Sequence, residues 1–206
     1  MTVIVDYGVG NLFSLKSSLS SIGFASVISG DAAVISSADR VLLPGVGAFE
    51  DARRKLSETG LDKIVKTEAQ KGKPLLGICL GMQLLFDRSF EHGTFEGLGL
   101  IKGEIRPIAP LLPDGFKVPH TGWNSLHFTN EGKRSLLLKH ISEGSFVYFV
   151  HSFAAFDCEK SQIALTDYSI PLTAAVESGN VWGTQFHPEK SGDIGLSILR
   201  AFCEIN

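Results

Sequence analysis

The run Pro74-Leu75-Leu76-Gly77-Ile78-Cys79-Leu80-Gly81-Met82-Gln83-Leu84-Leu85-Phe86 decides the fold. Pro74–Ile78 is apolar and short, which predicts a buried strand, and Leu80–Phe86 begins a helix. Between them lies Gly77-Ile78-Cys79-Leu80-Gly81, a G-x-C-x-G form of the strand–turn–helix elbow that exposes a nucleophile. A turn this sharp brings neighbouring chain close to the positions two before and two after the centre. Glycine fits there because it has no Cβ to clash. Cys79 stands at a helix N-terminus, where the backbone dipole favours a thiolate. The next N–H, that of Leu80, faces the place where an oxyanion would form. The alternative reading is a buried structural thiol, the commoner fate of a free cysteine.

On both sides of this turn, short apolar runs alternate with amphipathic segments. Thr2–Val5, Phe24–Ile28 and Arg40–Leu43 read as strands, the last ended by Pro44. Leu12, Leu15, Leu19 and Ile22 have helical spacing, and Glu50–Lys71 reads as helix broken at Gly60. Strands alternating with helices predict parallel βαβ units. From Leu100 to Phe156, prolines at 107, 110, 113 and 119 and short runs such as Phe146–Val150 predict antiparallel strands instead. Ile163–Thr166, Leu172–Val176 and Val181–Gln185 read as strands, and Ile194–Ile205 as a closing helix. The expected fold is α/β, flavodoxin-like, with a mostly parallel central sheet flanked by helices and an antiparallel extension. No Ser/Gly linker divides residues 1–206, which are expected to form a single domain.

Composition narrows the function. With 19 Lys+Arg against 22 Asp+Glu the net charge is −3, so no basic field suggests nucleic acid. The longest uncharged stretch, Ser17–Gly30, is too short and polar to span a bilayer. No secretory leader is visible, and Cys79, Cys158 and Cys203 do not suggest a disulfide framework, so a reducing cytoplasm is expected. No CxxC or HExxH pattern points to a metal, and no cofactor is expected. Gly8-Val9-Gly10-Asn11-Leu12-Phe13 mimics the start of a dinucleotide fingerprint, but Phe13 replaces its third glycine.

A thiol nucleophile needs a base and an orienting group. His187-Pro188-Glu189 supplies both, because residues two apart in an extended segment share a face. His151 is the competing base, with a hydrogen-bonded histidine at a strand end as its plainer reading. Gly45-Val46-Gly47 follows the third strand at the edge where ligands bind to parallel sheets, and the Val46 N–H is the candidate second oxyanion donor. Gln83 lies four residues after Cys79 on the same helix face.

Three blocks resemble the class I (triad) glutamine amidotransferases: Pro44–Phe49, Gly77–Gln83 and Gly183–Ser191. Val5–Leu12, Pro119–Asn124 and Tyr148–Phe153 are similar, within that family, to the glutaminase subunits of imidazole glycerol phosphate synthase, an activity of histidine biosynthesis. Phe153 departs from the Tyr expected in many relatives.

The resemblance implies Cys79 as nucleophile, His187 as base and Glu189 as its orienter, with oxyanion donors at Val46 and Leu80. It implies that Gly47, Gln83, His151, Ser152 and Phe153 hold glutamine. It also implies a heterodimer with a (β/α)8-barrel cyclase that consumes the ammonia, and interface positions at Asn11, Pro119, His120, Trp123 and Lys190. A glutaminase for pyridoxal phosphate, anthranilate or guanylate synthesis is an alternative, against which Gly122-Trp123-Asn124 argues. A cysteine hydrolase on the same scaffold and a decayed binding module are the others. Activity on glutamine but not on peptides or esters would separate the first of these, and labelling of Cys79 by a glutamine-like electrophile the second.

Overall fold

The structure, a computed structural model, describes residues 1–205. Its first half builds the sheet that carries Cys79. β1 (Thr2–Val5) is buried at every position. α1 (Leu12–Ser21), β2 (Ser26–Ser29), α2 (Ala32–Ser37) and β3 (Arg40–Gly45) follow. α3 (Phe49–Glu58) and α4 (Leu61–Gln70) are the expected long helix, cut at Gly60 with φ 71°. β4 (Leu75–Cys79) runs directly into α5 (Leu80–Leu84). Then come β5 (Phe86–Ser89), β6 (Phe95–Glu96), β7 (Ile101–Pro107), β8 (His120–Ser125), β9 (His127–Phe128), β10 (Phe146–His151) and β11 (Phe153–Phe156). β12 (Gln162–Tyr168), β13 (Ile170–Ser178), β14 (Val181–Thr184) and α6 (Gly192–Cys203) complete the described chain.

The main sheet has the order β2-β1-β3-β4-β14-β13-β12-β9. Its first five strands pair in parallel. β13, β12 and β9 add antiparallel pairs. Alternate residues of the parallel strands enter two different cores. Val3, Val5, Val41, Leu43 and Leu75 pack with Ile35, Leu56 and Val65 of α2, α3 and α4. Ile4, Leu42, Leu76 and Ile78 pack with Leu15 and Leu19 of α1 and Ile198 and Phe202 of α6. Burial on both faces explains why these strands read as continuous apolar runs. Each fully buried Val, Leu or Ile contributes about 1.5–3 kcal/mol. The expected antiparallel extension is realised as an antiparallel ribbon of β8 and β10 and a four-stranded sheet, β11-β7-β5-β6, which is mixed because β5 and β7 pair in parallel.

Several strand ends differ from expectation by one or two residues, and two boundaries near the site differ for a physical reason. β3 does not end at Pro44 but continues to Gly45. Val41 N–H points to the β4 side, where it bonds Pro74 O, so Pro44 faces β1, whose pairing stops at Leu42. The missing N–H of proline therefore costs no ladder bond there. The helix after Cys79 ends at Leu84 rather than Phe86, because Phe86 starts β5. No described helix is long and apolar enough to cross a membrane.

Candidate active site

Cys79 closes β4 with φ 53° and ψ −111°, a backbone conformation costly for any residue with a Cβ. The chain around it is packed at backbone distance. A Cβ on Gly81 would lie 1.8 Å from Leu43 O, and one on Gly77 would lie 2.7 Å from Gly81 O. The flanking glycines therefore have the close-approach role that the sequence spacing requires. Gly45 lies in register with Cys79, which brings the Val46-Gly47 loop beside the thiol. Tyr7 braces that loop from below, its buried hydroxyl donating to Pro44 O at 2.7 Å. Burial, reinforced by the nearby Cys79 charge, raises the Tyr7 phenol pKa beyond the usual range and keeps it a neutral donor.

His187 Nδ1 and Glu189 Oε1 are 2.8 Å apart, and both side chains are almost fully buried. The backbone holds the imidazole in place: His187 N donates to Tyr148 O, and Ser191 Oγ donates to His187 O. Burial alone would lower the His187 pKa, but hydrogen bonds to Cys79 and Glu189 outweigh it and raise it to about 9. A protonated imidazole beside the thiol sulfur is thus the favoured charge arrangement near neutral pH. Glu189 Oε2 is buried without a donor, so the carboxylate is oriented through Oε1 alone.

Above Cys79 opens a cleft of about 420 Å³. Val46, Gly47, Leu80, Gln83, His151, Ser152 and Phe153 line it with Cys79 and His187. Gln83 Nε2 donates to Phe153 O at 3.2 Å and to Gln185 Oε1 at 3.0 Å, joining α5 to the opposite wall. As the first residue of α5, Leu80 has an N–H with no intrahelical acceptor.

Sequence reasoning missed three residues here. Gln185 is fully buried and reaches Cys79 Sγ at 3.7 Å. Its signal was available, since Gln185 precedes His187 by two in an extended run. Glu91 and His92 also line the cleft. Glu91 Oε2 accepts from Phe49 N at 2.7 Å, so its other oxygen is left for the cleft. No local pattern marked this stretch.

The residues expected to meet a partner divide. Trp123 is 53% exposed, which settles it as a surface rather than a core aromatic. Pro119 is exposed at the cleft mouth, and Lys190 is exposed with Nζ 5.9 Å from the Tyr148 ring centroid. Asn11 is half-buried beside Val46 and Glu189. His120 is the correction: it is fully buried and offers no surface for docking. It lies three residues before Trp123 on β8, and strand alternation puts the two on opposite faces.

The sequence profile of the family described as glutamine amidotransferase class-I matches residues 3–205. The imidazole glycerol phosphate synthase subunit HisH of Aquifex aeolicus is 47% identical over 203 residues, covering 98% of this chain and 95% of that relative. The subunit of the same name from Listeria monocytogenes is 48% identical over 205 residues, covering 100% and 96%. A crystal structure of a glutamine amidotransferase shares the fold at a TM-score of 0.74 and 18% identity, covering 98% of both chains. The chain belongs to the class-I glutamine amidotransferase family, among its HisH subunits.

Proposed function

We propose that this chain, as one amidotransferase domain, hydrolyses L-glutamine to glutamate and ammonia and delivers the ammonia to a (β/α)8-barrel cyclase subunit. The two would form a cytoplasmic heterodimeric imidazole glycerol phosphate synthase, which makes imidazole glycerol phosphate and aminoimidazole carboxamide ribotide. Full-length similarity to HisH subunits supports the assignment. One observation carries the chemistry: Cys79 sits on a strained elbow at the floor of a cleft that it lines together with His187, whose ring Glu189 orients.

In this reading the Cys79 thiolate attacks the side-chain carbonyl carbon of glutamine. The tetrahedral oxygen takes the negative charge, opposite the Leu80 and Val46 N–H groups. His187 gives its proton to the departing nitrogen, so ammonia leaves and a glutamyl thioester remains. His187, now neutral, takes a proton from water, whose oxygen attacks the thioester. Glutamate leaves and the thiolate–imidazolium pair is restored. Gly47, Gln83 and residues 151–153 shape the pocket for the amide head, and the free oxygen of Glu91 matches the α-ammonium group in charge.

Ammonia released into water is protonated and loses its nucleophilicity, so the product must pass directly to an acceptor site. Trp123, Pro119 and Lys190 form the docking surface around the cleft mouth in this reading, and Trp is favoured at such anchors. The test is ammonia release from glutamine by the chain alone, with the cyclase, and with the cyclase plus its ligand. Weak activity alone and at least a tenfold rise in the liganded complex are expected. Full turnover by the isolated chain would remove the coupling.

A further inference from the structure

Glu189 meets His187 with one oxygen and leaves the other unengaged. Oε1 lies 2.8 Å from His187 Nδ1, while Oε2 is buried and has no donor among the described residues. The glutamate side chain is almost fully buried, so bulk water does not reach that oxygen. A buried carboxylate oxygen without a donor bears the full cost of its lost hydration. Beside Glu189 lies a small pocket of about 10 Å³, about the room that one water needs. Leu15, Pro44, Val46 and Ile78 make its walls mostly apolar. Apart from His187 and Glu189, its one polar side chain is Asn11.

The amide of Asn11 is free. Asn11 is the N-cap of α1, where an Asn side chain commonly bonds a helix N–H, yet it makes no cap bond. Its backbone carbonyl accepts from Leu15 N, so the main chain alone starts the helix. The half-buried side chain meets no hydrogen-bond partner among the described residues. A pocket the size of one water is thus shared by an acceptor without a donor and a donor without an acceptor.

We infer that this pocket holds one ordered water, which accepts from the Asn11 amide and donates to Glu189 Oε2, and that Asn11 is thereby a positioning residue for the triad. A carboxylate held at one oxygen can turn about that contact, and a second hydrogen bond fixes its plane. Locking a catalytic group through an outer partner in this way is what keeps its geometry productive. The line then runs from Cys79 through His187 and Glu189 to the water and Asn11. Asn11 acts from behind the triad in this arrangement, rather than at the docking position that the family resemblance implies. Its part in turnover rests on the glutaminase reading, and the place of the water does not.

A high-resolution crystal structure of the full chain tests the water. Density within hydrogen-bonding distance of both Asn11 Nδ2 and Glu189 Oε2 is expected, and a dry pocket would overturn the inference. Kinetics test the positioning role. Asn11→Leu keeps the size of the side chain and removes the amide. Asn11→Ser keeps a donor and a favoured N-cap, with room for a second water to extend the bridge. At saturating cyclase, Asn11→Leu is expected to lower kcat for ammonia release at least about tenfold while KM for glutamine changes less than about threefold. Asn11→Ser is expected to keep both constants within about threefold of wild type. If Asn11→Leu does not fold, Asn11→Asp replaces it. That variant has the same shape and is also a favoured N-cap, but sets a second anion toward Glu189, so the same fall in kcat is expected. An unchanged kcat would overturn the positioning role. So would a defect seen only as weaker cyclase binding, which would return Asn11 to the docking surface, or an equal loss in Asn11→Ser. Absence of ammonia release by wild type would instead count against the glutaminase reading, and the density in the pocket would still decide the water.

Discussion

At the residue scale, the elbow depends on an absent side chain. A Cβ at Gly81 would meet Leu43 O at 1.8 Å, and that carbonyl belongs to the buried strand β3. Gly81→Ala should therefore cost more than the usual ~1–3 kcal/mol of overpacking, read as a lower urea midpoint together with loss of activity. His187 sets the pH dependence. Its folded pKa of about 9 lies above the unfolded value of about 6.5. The charged form thus stabilises the fold fully below about 6.5, and that contribution is lost as pH rises through about 9. Activity should fall over the same alkaline range if, as proposed, the imidazolium donates the proton to the leaving nitrogen. A pH–rate profile of kcat with no alkaline limb near 9 would contradict this. Cys79, His187 and Glu189 were legible because each lies in a local pattern with a physical reason. Glu91 was not, since only the fold brings distant stretches together.

At the element scale, α4 is held against α2 by charge as well as by apolar contact. Glu68 is nearly buried and receives Lys71 Nζ at 2.9 Å and Lys73 Nζ at 2.8 Å. Hydrogen bonds from Lys71 and then Lys73 lower its pKa to about 2. A depressed carboxylate pKa stabilises the fold above the unfolded value, and that contribution is lost as pH falls through about 2. Lys73 also donates to Ile35 O and Ser36 O at the end of α2. Lys73→Met should cost about 2–3 kcal/mol, because it leaves a buried carboxylate short of a partner, measurable by urea unfolding. The parallel strands were readable as apolar runs, and Gly60 as a helix break. The end of β3 was misread because the effect of a proline depends on which neighbour its nitrogen faces. The extent of α5 was misread because Leu84, Leu85 and Phe86 are all apolar and fully buried, with no polar alternation to mark the change. Apolar sequence alone does not decide between helix and strand there.

At the scale of the whole molecule, β3 and β4 end together and place the Val46-Gly47 loop and Cys79 at one edge of the sheet. His187 follows β14, which pairs with β4 in parallel, so imidazole and thiol meet at that same edge. The antiparallel extension supplies the opposite wall through residues 150–153. Its outer face carries Trp123 and Phe146, both more than half exposed. Trp123→Ala should weaken cyclase binding by at least ~2 kcal/mol, about thirtyfold in Kd, with an unchanged urea midpoint. Equal affinity in a binding titration would move the docking surface elsewhere. The central claim is that Cys79 itself takes the glutamyl group. Mass spectrometry of the acid-quenched complex during turnover on glutamine tests it most directly. A glutamyl adduct on the peptide containing Cys79, absent from Cys79→Ala, which also releases no ammonia, is the predicted result. Normal ammonia release by Cys79→Ala, with no adduct on the wild-type peptide, would contradict it.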